Sequence, residues 1–429
     1  MLRILAATIA LRGATLIDGT GTPARANALL LIRDGRVVSV GEATPEAVAA
    51  LPAGASVQDL SGEWIVPGFI DAHVHAESDG DLEEMLHWGV TSVRLMAEDV
   101  AAAAKLAERS RYPGSRFPEV YPAAPIFTVR GGWWGQDEPP DVNLNRFPAS
   151  EAEARESVRK AKEFGSAEIK LMLDDMTWCR GPKPPLPKLA GPVAKALVSE
   201  ARKQGMRAIV HAVEGADAKQ AVAFGATALA HGVLDRLDSK TIAEMKHRPV
   251  FYVPTLDIFE FLADTRSFVD GVLSDPVVTM RGTGIPPDRA RRYRSPEYAQ
   301  NYRERYPNFA ELQRRLPMLY GNLRRIRESG VPVALGTDMW AFPGLAVSIE
   351  MDLYVKGGIP PIEAIRAATQ TAARSLGVEK DRGTLEPGKR ADLIVLDADP
   401  LADVKNVRKI REIYKAGEPV GRAAAAATR

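Results

Sequence analysis

Residues 64–75 read WIVPGFIDAHVH, and this stretch decides how the rest of the chain is interpreted. Its apolar run, interrupted by Pro67-Gly68, predicts a buried strand whose end carries His73 and His75. Successive side chains of a strand point to opposite faces, so these two imidazoles share a face and can reach one point. Two neutral imidazoles in that arrangement suit a divalent metal. An HxH triplet alone is equally consistent with two histidines that bind nothing.

Length, charge and cysteine content narrow the class of protein. The 429 residues are enough for an α/β barrel with an appended domain. A net charge of +1 gives no electrostatic reason to expect nucleic acid or an acidic partner. The single cysteine, Cys179, excludes a disulfide framework and a four-cysteine zinc site. No apolar run approaches the roughly 18 residues that would indicate a membrane span.

The opening MLRILAATIAL is short and apolar, with one basic residue. We expect it to lead into a first strand and the protein to be cytoplasmic. The alternative is the remnant of a secretion signal, with a periplasmic or secreted protein, although no clear small-residue cleavage site follows.

The pattern of the chain changes twice, which predicts two domains. Residues 1–63 and 380–429 are rich in short strands and turns, and we expect them to fold together as one small, discontinuous β-sandwich. Residues 64–379 alternate strands with helices, the pattern of parallel βαβ units, and predict an α/β fold, a (β/α)8 TIM barrel. A long, charged and mostly helical insertion at about 257–327 is expected beside the barrel mouth. The expected barrel strands lie at 64–75, 89–98, 118–128, 167–173, 206–213, 226–233, 249–256 and 331–340.

Polar side chains stand at the ends of several of these strands, where such barrels build their active sites. Four of the six histidines occupy strand ends, which favours a metal site over histidines without a ligand. The other two, His87 in a helical stretch and His247 in a charged loop, are expected to be structural or solvated. The strand ends carry His73, His75, His211, His231 and Asp338.

Lys170 is the unusual side chain of the fourth strand, AEIKLML. A lysine with apolar neighbours on both sides is costly to bury in its charged form. Desolvation lowers the pKa of its amine, and a neutral amine can add carbon dioxide to become a carbamate. That anion has two oxygens and suits a bridge between two cations. The alternative is a lysine that extends its amine to solvent from the strand end.

These motifs together resemble the metal-dependent amidohydrolase superfamily. The resemblance rests on HVH in VPGFIDAHVH, the lysine of EIKLML, the histidines of VHAVEG and LAHGV, and LGTD. The tail GTLEPGKRADLIVLDADP is similar to the returning β domain of that superfamily, so the likeness extends over nearly the whole chain. The chain most resembles the prolidase-like and imidazolonepropionase-like branch.

The resemblance implies a binuclear centre in which carboxylated Lys170 and a hydroxide bridge two divalent ions. Zinc is the expected metal for a nitrogen-rich ligand set, although manganese or cobalt can substitute. The ions would lower the pKa of the bridging water, and Asp338 would act as general base and pass the proton to the leaving amine. The more buried ion would be held by His73, His75 and Asp338, and the more exposed one by His211 and His231.

Side chains near the expected mouth are candidates for substrate binding. Trp133 and Trp134 lie in RGGWWGQDEPP after the third strand, where they would pack an apolar group of the substrate or else cover barrel helices. Related enzymes often carry a carbonyl-polarising histidine after this Gly-Gly, and Trp133 takes its place here. The remaining candidates, each with a packing or surface role as the alternative, are Tyr252, Met339, Trp340 and Arg130.

The leading hypothesis is a binuclear hydrolase that cleaves an amide-type C–N bond of a dipeptide, N-acyl amino acid, carbamate or urea. The first alternative is a mononuclear enzyme that opens a cyclic amide or deaminates a ring, since HAVE from His211 to Glu214 resembles part of a deaminase pattern. The second is a non-catalytic scaffold on the same fold, which the presence of all the candidate ligands disfavours. We expect a small-molecule substrate, no nucleic-acid or membrane partner, and a homo-oligomer.

Overall fold

The structure is a computed structural model that describes residues 8–97, 99–112, 114–135, 144–281, 287–305 and 307–421. The first residues of the opening segment, the end of the tryptophan-containing loop and the alanine-rich C-terminal stretch lie outside these ranges. The strands within them are β1 (Ile9–Leu16), β2 (Arg25–Arg33), β3 (Arg36–Glu42), β4 (Ser56–Asp59), β5 (Trp64–Pro67), β6 (Phe69–Val74), β7 (Val90–Met96), β8 (Glu119–Ala123), β9 (Ile126–Phe127), β10 (Glu168–Met172), β11 (Arg207–His211), β12 (Ala228–Ala230), β13 (Phe251–Val253), β14 (Leu393–Leu396), β15 (Ile410–Lys415) and β16 (Glu418–Pro419).

Helices connect most of the central strands. A π-helical turn at Ala367–Thr371 joins the last two α-helices, and a 3-10 helix spans Val404–Arg408. No helix in the described ranges combines the length and the apolar character needed to cross a bilayer. The α-helices are α1 (Pro45–Ala49), α2 (Asp79–His87), α3 (Val100–Arg111), α4 (Glu151–Glu163), α5 (Thr177–Arg180), α6 (Gly191–Lys203), α7 (Gly215–Phe224), α8 (Ser239–His247), α9 (Leu256–Ala263), α10 (Thr265–Leu273), α11 (Pro276–Arg281), α12 (Pro287–Arg294), α13 (Pro296–Arg305), α14 (Phe309–Glu328), α15 (Leu345–Lys356), α16 (Pro361–Arg366) and α17 (Ala372–Leu376).

The N-terminal and C-terminal segments share one eight-stranded sheet. Its order is β16-β15-β14-β5-β1-β2-β3, and β4 pairs with β1. β14 comes from the C-terminal segment and pairs antiparallel with β5, so the two segments meet inside the sheet. Apolar residues from both, including Leu11, Leu30 and Val395, form a separate core cluster. The two segments therefore build one sheet domain, with the strands in a single continuous sheet where a β-sandwich was expected.

The stretch from Trp64 to Pro67 belongs to this terminal sheet, although the sequence pattern places it at the start of the barrel. These residues form β5, which pairs with β14 and β1. Gly68 separates β5 from β6, and a Cβ at Gly68 would lie 2.4 Å from the hydroxyl of Thr91. The chain therefore passes so close to its neighbour at this point that only glycine fits.

The central strands form two parallel sheets. One has the order β6-β7-β8, and the other has the order β13-β12-β11-β10-β9. Seven of the eight expected barrel segments therefore contain paired strands, and the third expected segment is divided into β8 and β9. Because all these strands are parallel, their carboxyl ends lie at the same edge.

The last expected barrel strand, residues 331–340, is not a regular strand in the structure. Val333 forms an isolated parallel bridge with Tyr252 of β13. On its other side, the amide of Ala72 in β6 donates to the carbonyl of Leu335 at 2.9 Å. The segment is therefore hydrogen-bonded to both sheets, and it brings Asp338 to the end of β6.

Alternation along the central strands separates a helix-facing side from an inner side. Ile169 and Leu171 of β10 are buried in the large apolar cluster that includes the helices. Lys170 lies between them and pairs in register with Ile209 of β11. Ile209 and Ala228 belong to the smaller cluster on the inner side. Lys170 therefore points to the inner side, away from the helices.

The expected insertion at 257–327 is helical, as its pattern predicts. It consists of most of α9, then α10 to α13, and most of the long helix α14. The ring of Phe261 in α9 meets the rings of Trp340 at 5.7 Å and Tyr293 at 6.0 Å, both edge-on. The insertion therefore packs beside the segment that follows Asp338.

Candidate metal centre

His73, His75 and Asp338 meet at the carboxyl end of β6. The Nε2 atoms of His73 and His75 lie 3.5 Å and 3.3 Å from Oδ1 of Asp338. Each of the three side chains offers a ligand atom, and these atoms lie within 4.8 Å of one another. Two imidazoles and a carboxylate are ligands that zinc accepts. The sequence interpretation that both histidines reach one point therefore agrees with the geometry.

Asp71 fixes the relative position of the strand end and the segment that carries Asp338. Its Oδ1 accepts hydrogen bonds from the amides of His73 at 3.0 Å and Thr337 at 3.1 Å. Its Oδ2 accepts from the hydroxyl of Thr337 at 2.7 Å. Burial raises the pKa of Asp71 to about 7, against the effect of these bonds. Sequence reasoning missed Asp71, although an acid within an apolar strand must find partners.

His211 and His231 complete a cluster of four imidazoles. The ring centre of His231 lies 4.7 Å from that of His73 and 4.2 Å from that of His211. The Nδ1 atom of His231 is 3.8 Å from Oδ2 of Asp338. Burial lowers the pKa of His75 to about 3 and keeps the pKa values of His73 and His231 well below 6.5. The imidazoles of His73, His75 and His231 are therefore neutral at pH 7, which is the form that binds metal.

Asp174 holds His211, and sequence reasoning did not identify it. Its Oδ2 lies 2.8 Å from Nε2 of His211 and accepts from the indole of Trp178 at 3.0 Å. Its Oδ1 accepts from the amide of Met176 at 2.7 Å. Because an ionised carboxylate only accepts, Nε2 of His211 carries the proton and Nδ1 keeps its lone pair. The available signal was an acid at position 174, just beyond the end of β10.

Thr255 holds His231 in a similar way. Its Oγ1 lies 3.0 Å from Nδ1 of His231, and both side chains are buried. This contact engages Nδ1 and leaves Nε2 of His231 available for a metal ion. Sequence reasoning did not single out Thr255.

Lys170 lies in the same cluster, and its amine is unusual. Among the described residues its Nζ has no hydrogen-bond partner, although the side chain is only 2% exposed. Burial lowers the pKa of Lys170 to about 7, while the nearby carboxylate of Asp338 raises it and Arg94 lowers it further. Buried amines without partners are rare in structural roles. A buried, partly neutral amine beside imidazoles and a carboxylate fits a residue that becomes a carbamate and binds divalent ions.

The two tryptophans reach this cluster from one side. The indole of Trp134 stacks on the ring of His75, with ring centres 5.0 Å apart and an angle of 10° between the planes. Trp134 remains 38% exposed, and Trp133 meets it edge-on at 6.4 Å. The hydroxyl of Thr128 donates to the carbonyl of Trp133 at 2.7 Å and anchors the loop. Trp134 is therefore an exposed aromatic wall beside an expected metal ligand.

Among the described residues, no contact brings Tyr252 or Arg130 to the cluster. Tyr252 is fully buried in the helix-facing core, and its hydroxyl accepts from the amide of Val233 at 3.0 Å. This position corresponds to the packing alternative for Tyr252, because its hydroxyl holds the chain after β12. Arg130 is exposed, and its guanidinium carbon lies 5.0 Å from the ring centre of Phe147. That contact agrees with the alternative given for Arg130, a role at the protein surface instead of in substrate binding.

Met339 and Trp340 follow Asp338 directly and occupy different environments. Met339 is buried in the main core, and its side chain is 2% exposed. Trp340 is half-buried and packs against the insertion through Phe261. Trp340 is therefore the more accessible of the two substrate-binding candidates.

The glutamate of the partial deaminase pattern is engaged elsewhere. Oε1 of Glu214 pairs with Nη1 of Arg315 in α14 at 2.8 Å. Burial raises the pKa of Glu214, and Arg315 opposes that effect. This ion pair with the insertion makes Glu214 a poor candidate for moving protons at the candidate metal centre.

The two remaining histidines lie in helices, His87 in α2 and His247 at the end of α8. For His247 a loop was expected.

Known relatives match the chain over different lengths. Ochratoxinase from Aspergillus niger is 25% identical over 450 aligned residues, which include 94% of this chain and 84% of that protein. Imidazolonepropionase from Pyrobaculum arsenaticum is 39% identical over a shorter stretch of 105 residues, 23% of this chain and 25% of that one. Both names lie within the expected superfamily, and they support the expected branch.

Solved structures show the same fold. A Xaa-Pro dipeptidase with methionine bound in its active site matches with a TM-score of 0.76 and 20% identity, over 96% of this chain and 100% of that chain. The fold is therefore TIM-barrel-like α/β with a sheet domain. The model of the amidohydrolase family matches residues 64–420. Because this match spans most of the sequence, the chain belongs to the amidohydrolase family and is a metal-dependent hydrolase of C–N bonds.

Proposed function

We propose that this enzyme is a binuclear hydrolase of amide-type C–N bonds in small molecules such as dipeptides, N-acyl amino acids, carbamates or ureas. The observation that carries the proposal is Lys170, whose buried amine has no hydrogen-bond partner among the described residues and lies beside four imidazoles and Asp338. A single ion held by histidines and an aspartate has no need of such an amine. A pair of ions does, because a carbamate offers one oxygen to each.

The framework for this centre is proposed to be a closed (β/α)8 barrel. The two parallel sheets supply most of its strands, and residues 331–338 hydrogen-bond to both sheets where the last strand belongs. Closure would place the ends of β6, β10, β11 and β12 around one rim. That arrangement is consistent with the short distances among the histidines and Asp338.

The proposed ligands divide into two sets joined by Lys170. When bound, a pair of divalent ions such as zinc lowers the pKa of a coordinated water and polarises a carbonyl oxygen. Asp174 and Thr255 keep the neighbouring histidines in fixed orientations for this purpose. One set is His73, His75 and Asp338, and the other is His211 and His231.

Asp338 is the proposed proton carrier. Its Oδ1 faces His73 and His75, while its Oδ2 faces His231, so the carboxylate stands between the two ligand sets. Burial raises the pKa of Asp338 to about 7, and the charge of Lys170 opposes that effect. A carboxylate in this position can accept a proton from water and then give it to the leaving amine.

Substrate selection is proposed to involve the exposed face of Trp134. One face of its indole covers His75, and the side chain is 38% exposed, so it can pack an apolar or aromatic group next to the bond that is cut. Trp133 occupies the place of the carbonyl-polarising histidine of related enzymes and has no group that can be protonated. We therefore expect polarisation of the carbonyl to depend on the metal site itself.

The test combines metal counting with a substrate panel. Wild type and Asp338→Asn are assayed against dipeptides, N-acyl amino acids, carbamates and cyclic amides, with zinc measured per chain. We expect two ions in the wild type, and a loss of at least about 100-fold in turnover in the variant with the fold retained. Retained turnover in Asp338→Asn would overturn the assigned base, and one ion per chain with activity on cyclic amides alone would favour the mononuclear alternative.

A further inference from the structure

The start of helix α9 is capped in an unusual way. A threonine before a helix normally accepts a hydrogen bond from an amide of the first turn. Thr255 precedes α9 but makes no such bond, and its backbone is left-handed, with φ of 46° and ψ of 55°. Its hydroxyl instead contacts Nδ1 of His231 at 3.0 Å. The side chain that should cap the helix is therefore committed to a proposed metal ligand.

Glu350 supplies the missing cap from a distant helix. It lies in α15, 94 residues along the chain from Leu256. Its Oε1 accepts from the amide of Leu256 and its Oε2 accepts from the amide of Asp257, both at 2.8 Å. Both oxygens are thus occupied by the first two amides of α9. A carboxylate at this end of a helix is also favoured by the helix dipole.

Asp257 is a second buried acid next to Glu350. Both side chains are fully buried, and they lie close enough to interact. Burial and the neighbouring charge of Glu350 raise the pKa of Asp257 well above its ordinary value. Burial also raises the pKa of Glu350 to about 8, while the hydrogen bonds from the amides of Leu256 and Asp257 oppose that effect and favour the ionised form.

The conformation of Thr255 needs this support. Threonine is β-branched, and a left-handed backbone is unfavourable for such residues unless surrounding contacts impose it. The two bonds to Glu350 hold the residues that directly follow Thr255. Thr255 itself is 0% exposed, so bulk solvent does not reach its hydroxyl.

We propose that Glu350 is a positioning residue of the metal centre, which holds the start of α9 so that the Thr255 hydroxyl fixes the orientation of His231. This inference rests on the proposed function, because His231 is a ligand only if the centre binds metal. The residue acts through two others and does not touch the substrate or the reacting atoms.

The test compares Glu350→Gln with Thr255→Val. Glutamine has one acceptor oxygen and one amino group, so it cannot accept both amides of α9. Valine has nearly the shape of threonine but lacks the hydroxyl, so it removes the last link without removing the cap. Glu363→Gln is the matched control, because Glu363 makes its ion pair with Arg327 in a different part of the protein.

Two measurements test whether Glu350 and Thr255 fix the orientation of His231. Chelator competition gives the affinity for the more weakly bound zinc ion, and nitrogen chemical shifts report the tautomer of His231 in metal-free protein. We expect Glu350→Gln and Thr255→Val each to weaken that affinity by about 10- to 100-fold and to shift the His231 nitrogens. The double variant should bind the weaker zinc ion no less tightly than either single variant. Glu363→Gln should have the zinc affinity and the His231 nitrogen shifts of the wild type.

Each contrary result has a distinct meaning. A Glu350→Gln protein that is less stable but keeps the wild-type His231 shifts and zinc affinity would overturn the positioning role. If Glu350→Gln does not fold, an unchanged tautomer in Thr255→Val overturns the role in the same way. A wild type that binds fewer than two ions would overturn the binuclear proposal, whereas the tautomer comparison would still decide the role of Glu350.

Discussion

Replacing Asp174 with asparagine should release His211 from its fixed orientation. Asp174 accepts on both oxygens: Oδ2 faces Nε2 of His211 at 2.8 Å, and Oδ1 faces the amide of Met176 at 2.7 Å. Asparagine has one acceptor oxygen and one donor group, so one side must lose its bond. If the new amino group faces His211, it donates to Nε2. The imidazole proton then moves to Nδ1, the nitrogen that the metal ion needs.

The size of the effect follows from these contacts. Loss of an outer partner of a metal-bound histidine typically costs about 10- to 100-fold in metal affinity. This loss corresponds to about 1.4–2.8 kcal/mol of binding free energy. With the amino group facing His211, the indole of Trp178 also loses its acceptor, and a buried donor without a partner lowers the free energy of unfolding by about 1–3 kcal/mol. We therefore expect weaker binding of one ion together with a moderate loss of stability.

The assay is zinc content per chain after dialysis, with chelator competition for the weaker ion and denaturant unfolding in parallel. The ion held by His73, His75 and Asp338 should be retained, because Asp174 does not contact that set. Asp175→Asn is the control, since Asp175 accepts from Thr177 and pairs with Lys188 instead of a histidine. A variant at Asp174 that loses stability yet binds both ions with wild-type affinity would refute the orienting role.

Three further predictions concern buried groups. Metal-free enzyme given metal ions should recover activity faster with added bicarbonate and as pH rises from about 6 to 8. The reason is that burial lowers the pKa of Lys170 to about 7, and only the neutral amine adds carbon dioxide. A recovery rate that depends on neither bicarbonate nor pH would contradict carbamate formation on Lys170. Tyr252→Phe should leave KM unchanged and lower the free energy of unfolding by about 1–3 kcal/mol, because the amide of Val233 loses its acceptor. A large rise in KM would instead indicate that Tyr252 binds substrate. Glu84→Gln should stabilise the protein by about 3 kcal/mol at pH 8 and by little at pH 4.5. Burial raises the pKa of Glu84 to about 7, so ionisation of Glu84 destabilises the folded state only as pH rises from 4.5 to 7. Equal stabilisation at both pH values in thermal unfolding would contradict this prediction.

The proximity of the candidate ligands was predictable because it depends on local pattern and one general rule. Apolar runs indicate where the buried strands end, and the carboxyl ends of parallel strands lie at one edge. His73, His211, His231 and Asp338 all stand just at such ends, so no knowledge of loop paths is needed to bring them together. Lys170 was found for a related reason, because a charged side chain inside an apolar strand requires an explanation.

The residues that hold the cluster were not predictable in this way. Glu350 reaches the amides of α9 from 94 residues away, and its own helix carries no pattern that points to them. Thr255 acts through a left-handed backbone that its residue type does not suggest. The side of the sheet on which Tyr252 lies was left open because both of its strand neighbours are also buried and apolar. The uniform run VFYV therefore gives no sign of which face is the inner one.

The position of β14 has a consequence for how the protein folds during synthesis. This strand lies between β5 and β15, so the centre of the terminal sheet is filled by residues that are made after the whole barrel segment. Until residues 393–419 have left the ribosome, β5 keeps a free backbone edge that can pair with another chain. Nascent chains that stall before residue 393 are therefore expected to aggregate through this edge and to be the species that most depend on chaperones.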